Sequence, residues 1–533
     1  MDNDPPHPVE NKNSPLLSVK FLLLALSIVV INFITMPRTM SGSDASVVRF
    51  EALILLNTGS IAIPPSVANS SDKGQYFYLN ESTGKWYSKY GFLNTILFAP
   101  PVGIDMILRG GLGLKFVNLE LVFNIFNILC ALVAAAYLYK FASLYVESFL
   151  AKAVFILSAF YCTFWWNHMR IQSFEAFQPV FLIAATYHFV HACNELAAEP
   201  PRDREKNLRR HLFLAGLILG LLWLSKALYI LVAPLFAVLL VAFEWPHLHE
   251  DGKFSPARAW ARLRVCVVWF GLPLLVCFIA LLSINAFKFG SPFDNGYTQW
   301  KREHDLFSGN LFSGITGFLF DPQFSIFLNF PVLLVALAGL PSFFRNHRKD
   351  ALVIYSLAIL LLLANAKFLN WRGLWSYGPR YMLPVLGMMS LPFVLVLGRM
   401  VENYKNPRSL LAALAVAVVL GYSALLQWNV NSVSFNGYFS IKEKFIDPVG
   451  DEQLDTYFGS TPFGIIYGDL IAHKHGKPLW FRDRFAEVTH DPKALARLDQ
   501  YIAIASTSNY YLFPDPAPQP TLAHQEELHK TNN

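Results

Sequence analysis

The sequence predicts an all-α polytopic membrane protein, a bundle of about eleven transmembrane helices with helices lying on its outer edge. Three observations predict it. Apolar residues make up 54% of the 533-residue chain and charged residues only 15%, against roughly 25% charged in an average soluble domain. The apolar residues gather into long runs. The loops between those runs alternate between Lys/Arg-rich and Lys/Arg-poor, the pattern of a chain that crosses a bilayer repeatedly. This excludes a soluble multidomain protein, a disordered chain and a disulfide scaffold. The net charge of +6 follows from the cytoplasmic loops and gives no reason to expect nucleic-acid binding. The five cysteines (Cys130, Cys162, Cys193, Cys266, Cys277) form no CxxC and read as small core residues, neither zinc ligands nor disulfides.

Residues 1–16 are polar and read as a cytoplasmic tail. The run Leu16–Met36 is long enough to span, at roughly 20 residues, and no A-x-A-like site follows it, so it reads as a retained first helix. Further spans are expected near 116–139, 151–167, 176–193, 211–225, 227–244, 264–287, 326–344, 351–366, 381–398 and 409–427. A weaker run at 92–108 holds Pro100, Pro101 and Asp105 and reads as re-entrant or interfacial. With that run not crossing, the basic loops fall on one side. They are Arg202–Arg210, Lys253–Arg264, Arg345–Lys349 and Arg399–Arg408. The rule places them and the N-terminus on the cytoplasmic side, and the expected location is a cell's inner (plasma) membrane. The first external loop, 37–115, and the C-terminus then lie outside. Residues 429–512 read as a small external region, α/β or mixed, and 513–533 as a loose tail.

The external face carries few charges, but they come with aromatics. The first loop opens Ser43-Asp44-Ala45-Ser46-Val47-Val48-Arg49-Phe50-Glu51. Its spacing fits a short amphipathic helix at the interface, with Ser43 or Asp44 as a plausible N-cap. Next come Tyr87-Ser88-Lys89-Tyr90-Gly91 and Trp165-Trp166-Asn167-His168-Met169-Arg170-Ile171-Gln172-Ser173-Phe174-Glu175. A lysine among tyrosines can snorkel to lipid headgroups or hold a phosphate. An acid at membrane depth is a functional candidate, with a favoured helix N-terminus as the alternative. His168 reads as structural, and Lys226, in the tight turn 225–227, needs a partner. The loop 366–381 holds two Trp, two Tyr, two Arg and a Lys, far beyond what joining two helices needs. It fits either an aromatic belt or a site that stacks sugar rings and binds an anion.

In sum, carboxylates and cations share one side of the membrane. That suits group transfer from an anionic lipid carrier: a carboxylate takes a proton from an attacking hydroxyl and cations stabilise the departing phosphate. A transporter, with charges near the midplane and internal repeats, fits less well. A glycan polymerase or ligase would look much the same.

Five segments in order carry a family resemblance. They are Asp44 with its helix, Tyr87–Gly91, Arg170–Glu175, Phe289-Gly-Ser-Pro-Phe-Asp294-Asn-Gly-Tyr297 and Trp371-Arg-Gly-Leu-Trp-Ser-Tyr-Gly-Pro-Arg380-Tyr381-Met-Leu-Pro384. Over about residues 17–427 the chain resembles bacterial GT-C glycosyltransferases of the dolichyl-phosphate-mannose–protein mannosyltransferase-like type, relatives of the lipid A aminoarabinose transferases. The resemblance implies a GT-C-like transmembrane catalytic domain (17–428) and an inverting transferase. The donor would be a polyprenyl-phosphate-linked sugar and the acceptor a glycan, lipid or protein. It implies Asp44 as general base and Glu175 as the second acidic residue of the catalytic pair, positioning the acceptor or donor sugar. Lys89, Arg380 and Arg170 would hold the donor phosphate. Glu51, Tyr87, Tyr90, Asp294, Trp371, Arg372, Trp375 and Tyr381 would line the pocket. The chain departs from the family at Lys226-Ala227, where an Arg–Pro pair is frequent, and at Ala176, where Pro is common. No clear Asp-x-Asp motif is seen outside the polar N-terminal tail, so a divalent metal stays open but without support, and no other cofactor is expected.

Overall fold

The computed structural model describes residues 18–37, 43–68, 76–114, 119–197, 202–250, 253–297, 306–321, 324–373, 377–433, 437, 440–460, 469–473 and 476–506. Among them, eight helices are long and apolar enough to cross a membrane: Phe92–Gly111, Leu119–Ala142, Glu205–Ser225, Ala227–Leu248, Arg262–Phe289, Arg348–Ala366, Arg380–Glu402 and Pro407–Asn431. Val19–Ile34, Phe149–Tyr161, Leu311–Phe320 and Val332–Asn346 are shorter apolar helices. The protein is an all-α multi-pass membrane protein.

Several expected runs are shorter or broken, and local chemistry explains each. The expected 151–167 ends as a helix at Tyr161, and a separate turn, Trp165–His168, follows. Ser148 starts that helix by accepting from the Ala151 N–H. The expected 326–344 divides into Ile326–Asn329 and Val332–Asn346. Pro331 lies at the break, where its missing N–H costs nothing at the start of the second helix. The run 92–108 is one continuous helix despite Pro100 and Pro101, passing into a π-helical turn at Met106–Gly111. Its Asn94 donates to the Ser225 carbonyl (3.1 Å). Its Phe98 packs edge-on against Phe123 and Phe177 and tilted against Phe174.

The segment between the helices Ser43–Thr58 and Phe92–Asp105 contains a feature the helical reading omits. Phe77–Asn80 and Lys85–Ser88 form an antiparallel hairpin with Phe77 opposite Ser88 and Asn80 opposite Lys85. Aromatic residues on a half-buried surface favour a strand, and Gly84 takes the left-handed φ of 65° that closes the turn. A second small hairpin pairs His249–Glu250 with Lys253–Phe254.

The chain divides into two compact units, with a boundary between Trp428 and Asn429. In the smaller unit the described elements are helical: Glu452–Ser460, Trp480–Thr489 and Pro492–Ser506. Phe458 packs on Phe481, and Phe445, from the π-helical turn Lys442–Ile446, packs on Phe485. Arg482 holds Asp499 through two hydrogen bonds of 2.6 and 2.8 Å.

Candidate active site

The site begins with the helix Ser43–Thr58. Ala45, Val48 and Ala52 recur at helical spacing, are fully buried, and pack on Tyr90, Phe98, Val102, Phe123 and Phe177. That packing fixes the helix rotation and hence Asp44, which lies in the first turn. The Asp44 carboxylate turns to distant partners. Its Oδ1 accepts from the Tyr90 hydroxyl at 2.6 Å, and its Oδ2 lies 3.8 Å from Arg380 Nη1.

Arg380 is shared between two acids. The same Nη1 lies 3.9 Å from Glu175 Oε1. Glu175 sits in the short turn Phe174–Ala176 and is buried. Burial alone would raise its carboxyl, but Arg380, His168 and Lys226 together outweigh that and hold it below the usual carboxylate range. Arg380 follows Gly378, at φ 65°, and opens a 3-10 turn ahead of Leu383–Met389. The loop also folds onto it: a Cβ on Gly373 would meet Arg380 Nε at 2.9 Å.

Lys89 follows the hairpin strand Lys85–Ser88 and is 8% exposed. Its ammonium lies 5.4 Å from the Tyr76 ring, 5.4 Å from Tyr90 and 5.3 Å from Tyr297, a three-sided aromatic cage. Burial lowers it to about 8, with Asp44 opposing and Arg380 assisting. Lys226 lies 4.3 Å from the Tyr381 ring, and burial brings it too to about 8 against the pull of Glu175. A buried polar network holds its turn. Gln178 donates to Ser225 Oγ, Ser225 Oγ donates to Asn94, and the Tyr229 hydroxyl donates to Gln178.

The structure therefore brings Asp44, Glu175, Arg380, Lys89, Tyr90 and Tyr381 into one cluster. It adds Tyr76, Lys226 and Tyr297. Tyr297 closes the sequence motif 289–297, and Lys226 is the cation of the turn 225–227 whose partner the sequence left open. His168 joins at the side. Its Nε2 pairs with the Tyr377 carbonyl at 3.1 Å, and burial, partly opposed by Glu175, lowers its imidazole.

Other expected pocket residues have different surroundings. Glu51 is fully buried and accepts from Ser88 (2.6 Å) and Thr95 (2.7 Å), with Lys288 Nζ at 3.2 Å. Because those partners enclose its carboxylate, Glu51 does not line the pocket as expected. Tyr87, also buried, meets Phe287 edge-on at 5.6 Å. Trp371 packs edge-on against Phe318 and Phe324, and Gly317 leaves the room for its ring. Arg372 is exposed, 4.0 Å from Asp321 and over the Trp371 ring. Arg170 is buried in the turn after Asn167, whose carbonyl its N–H meets. Asp294 is half-buried, its N–H turned to the Ser291 carbonyl. Trp375 lies outside the described residues. Among the described residues no three His, Cys, Asp or Glu side chains converge as a metal site.

The loop that brings Tyr297 over Lys89 depends on Gly296. A Cβ there would fall 2.1 Å from Lys89 Cα and 2.3 Å from its carbonyl oxygen. Gly296→Ala is expected to lift this loop and open the cage. Amine-reactive labelling of Lys89, followed by mass spectrometry, should then rise several-fold.

With this geometry the chain can be set beside solved structures. It is similar in fold to ArnT from Cupriavidus metallidurans. The ArnT structure, bound to undecaprenyl phosphate, gives a TM-score of 0.49 at 12% identity, over 91% of this chain and 75% of ArnT. The oligosaccharyltransferase of Archaeoglobus fulgidus, without ligand, gives 0.47 at 13% identity, over 82% of this chain and 59% of that one. The chain matches no protein-family model and no curated protein at the level of sequence.

Proposed function

We propose that the protein is a GT-C-type inverting glycosyltransferase that moves a sugar from a polyprenyl-phosphate carrier to an acceptor hydroxyl on the external side of the membrane. The observation that carries this reading is Arg380 placed between Asp44 and Glu175, beside the caged Lys89. At 3.8 and 3.9 Å, Arg380 Nη1 is beyond hydrogen-bond distance of either acid. A phosphate oxygen can therefore take its N–H without displacing a short bond.

In this mechanism Asp44 accepts the proton of the acceptor hydroxyl. The hydroxyl oxygen bonds to the sugar C1 as the bond from C1 to the phosphate oxygen breaks, and the electron pair leaves with the phosphate. Tyr90 fixes the Asp44 carboxylate through one oxygen and leaves the other to act. Lys89 and Arg380 meet the charge that grows on the leaving phosphate. Glu175 and Tyr381 orient the sugar.

The test is incubation of the purified protein in liposomes with a polyprenyl-phosphate sugar and a panel of glycan, lipid and peptide acceptors. Formation of a product with inverted anomeric configuration, together with free polyprenyl phosphate, supports the proposal. Movement of the lipid-linked sugar across the bilayer without product would replace it with a transporter.

The two lysines make the pH dependence specific. Both are lowered to about 8. Their positive charge is complete below that value and is lost as pH rises through it. Affinity for undecaprenyl phosphate should fall between pH 7 and 9, and Lys89→Arg should flatten that fall because a guanidinium stays charged throughout.

A further inference from the structure

The buried ion pair of Glu51 and Lys288 lies behind the site and takes no part in the mechanism above. Lys288 lies in the last turn of the helix Leu272–Phe289, and its three ammonium protons are all placed. They go to Glu51 Oε1 at 3.2 Å, Ser88 Oγ at 3.3 Å and the Tyr90 carbonyl at 3.0 Å. Glu51 Oε2 in turn accepts from Ser88 at 2.6 Å and Thr95 at 2.7 Å. Glu51, Ser88 and Thr95 are 0% exposed and Lys288 1%.

The pair joins four segments, three of which carry the site. Glu51 lies about two helical turns after Asp44 on the same helix. Ser88 and Tyr90 stand on either side of Lys89, and Tyr90 also holds Asp44. Lys288 immediately precedes the loop whose Gly296 rests on the Lys89 backbone and whose Tyr297 closes its cage. A buried ion pair adds little stability over apolar residues of the same volume, whereas removing one partner is costly. What it supplies is geometry: one carboxylate and one ammonium fix the helix of the base against the strand of the cation. We infer that Glu51 and Lys288 are positioning residues that set the placement of Asp44 relative to Lys89. This rests on the proposed function for its meaning, but the geometry can be read without catalysis.

The experiment uses the full-length protein and the double variant Glu51→Met/Lys288→Met. It removes both charges together and so leaves no unpaired buried ion. Two readouts apply. One is the pH dependence of Lys89 labelling by an amine-reactive reagent, resolved by mass spectrometry. The other is the dissociation constant for undecaprenyl phosphate. The expected result is a cooperative thermal transition, a half-labelling pH for Lys89 raised by about one unit or more towards that of a free lysine, near 10.4, and binding weaker by about tenfold. A labelling profile identical to wild type in the folded double variant would overturn the inference and leave the pair a packing element. Should the double variant not fold, Ser88→Ala, which keeps both charges and removes the hydroxyl between them, decides on the same labelling criterion. Failure of the wild-type protein to bind undecaprenyl phosphate would count against the proposed function, and the labelling would still decide the positioning role.

Discussion

Asp44→Asn should eliminate sugar transfer while undecaprenyl phosphate remains bound. Asparagine keeps the size of the side chain and can still accept from the Tyr90 hydroxyl, so the helix Ser43–Thr58 and its packing stay in place. What it loses is the ability to take a proton. Removing a positioned general base costs about 10²–10⁴-fold in rate. Lys89 and Arg380, the cations proposed to meet the lipid phosphate, are untouched, and the variant removes a negative charge beside them, so affinity for the carrier should hold or increase. The measurement is a turnover assay paired with a binding isotherm on the same preparation. A variant that turns over at the wild-type rate would remove Asp44 from the mechanism. One that loses binding and turnover together would move it from base to scaffold.

The second large effect belongs to Arg380. Arg380→Ala removes the cation shared by Asp44 and Glu175 and should lower kcat by about 10²–10³-fold, the size seen when a preorganised donor at a developing charge is removed. Carrier affinity should fall as well. Glu175 provides a separate signature. It is held below the usual carboxylate range by Arg380 together with His168 and Lys226, against the opposing effect of burial. A carboxyl lowered in the folded state contributes stability that is present above its ordinary value and lost as pH falls through the lowered one. Without Arg380 that contribution shrinks. Acid-induced unfolding of the variant should therefore begin at higher pH than in wild type, which thermal scans across pH 3–7 will show. Arg380→Lys is not expected to rescue activity, because a compact ammonium on a shorter reach cannot address two carboxylates and a phosphate at once.

The membrane class and the scarce charges of the candidate site stand out in the sequence for one physical reason: a charge in an apolar chain is expensive. Asp44, Lys89, Glu175 and Arg380 lie far apart in the chain, yet each interrupts an apolar or aromatic neighbourhood. Glu51 shows what could not be read. It was expected to line the pocket, seven residues after Asp44, and its partner Lys288 lies 237 residues away. Lys288 offered no warning, since a lysine at the end of an apolar helix has the form of a snorkelling residue. The hairpin Phe77–Ser88 was missed because four-residue strands leave little periodic signal. The helix breaks near Tyr161 and Pro331 shortened spans that composition alone had run together.

The turn of that hairpin has a practical use. Its backbone closes on itself, with the Thr83 and Gly84 N–H groups both donating to the Asn80 carbonyl. Residues Glu81 to Lys85 are exposed, and a side chain on Gly84 would meet nothing within 4 Å. An epitope grafted between Ser82 and Thr83 would project away from the packed strands. An antibody fragment bound there would add mass to a 60.2 kDa chain whose apolar bulk offers few landmarks for image alignment. The fiducial would sit on the same short ribbon as Lys89, so any shift of that ribbon when a lipid phosphate arrives would be visible directly in the images.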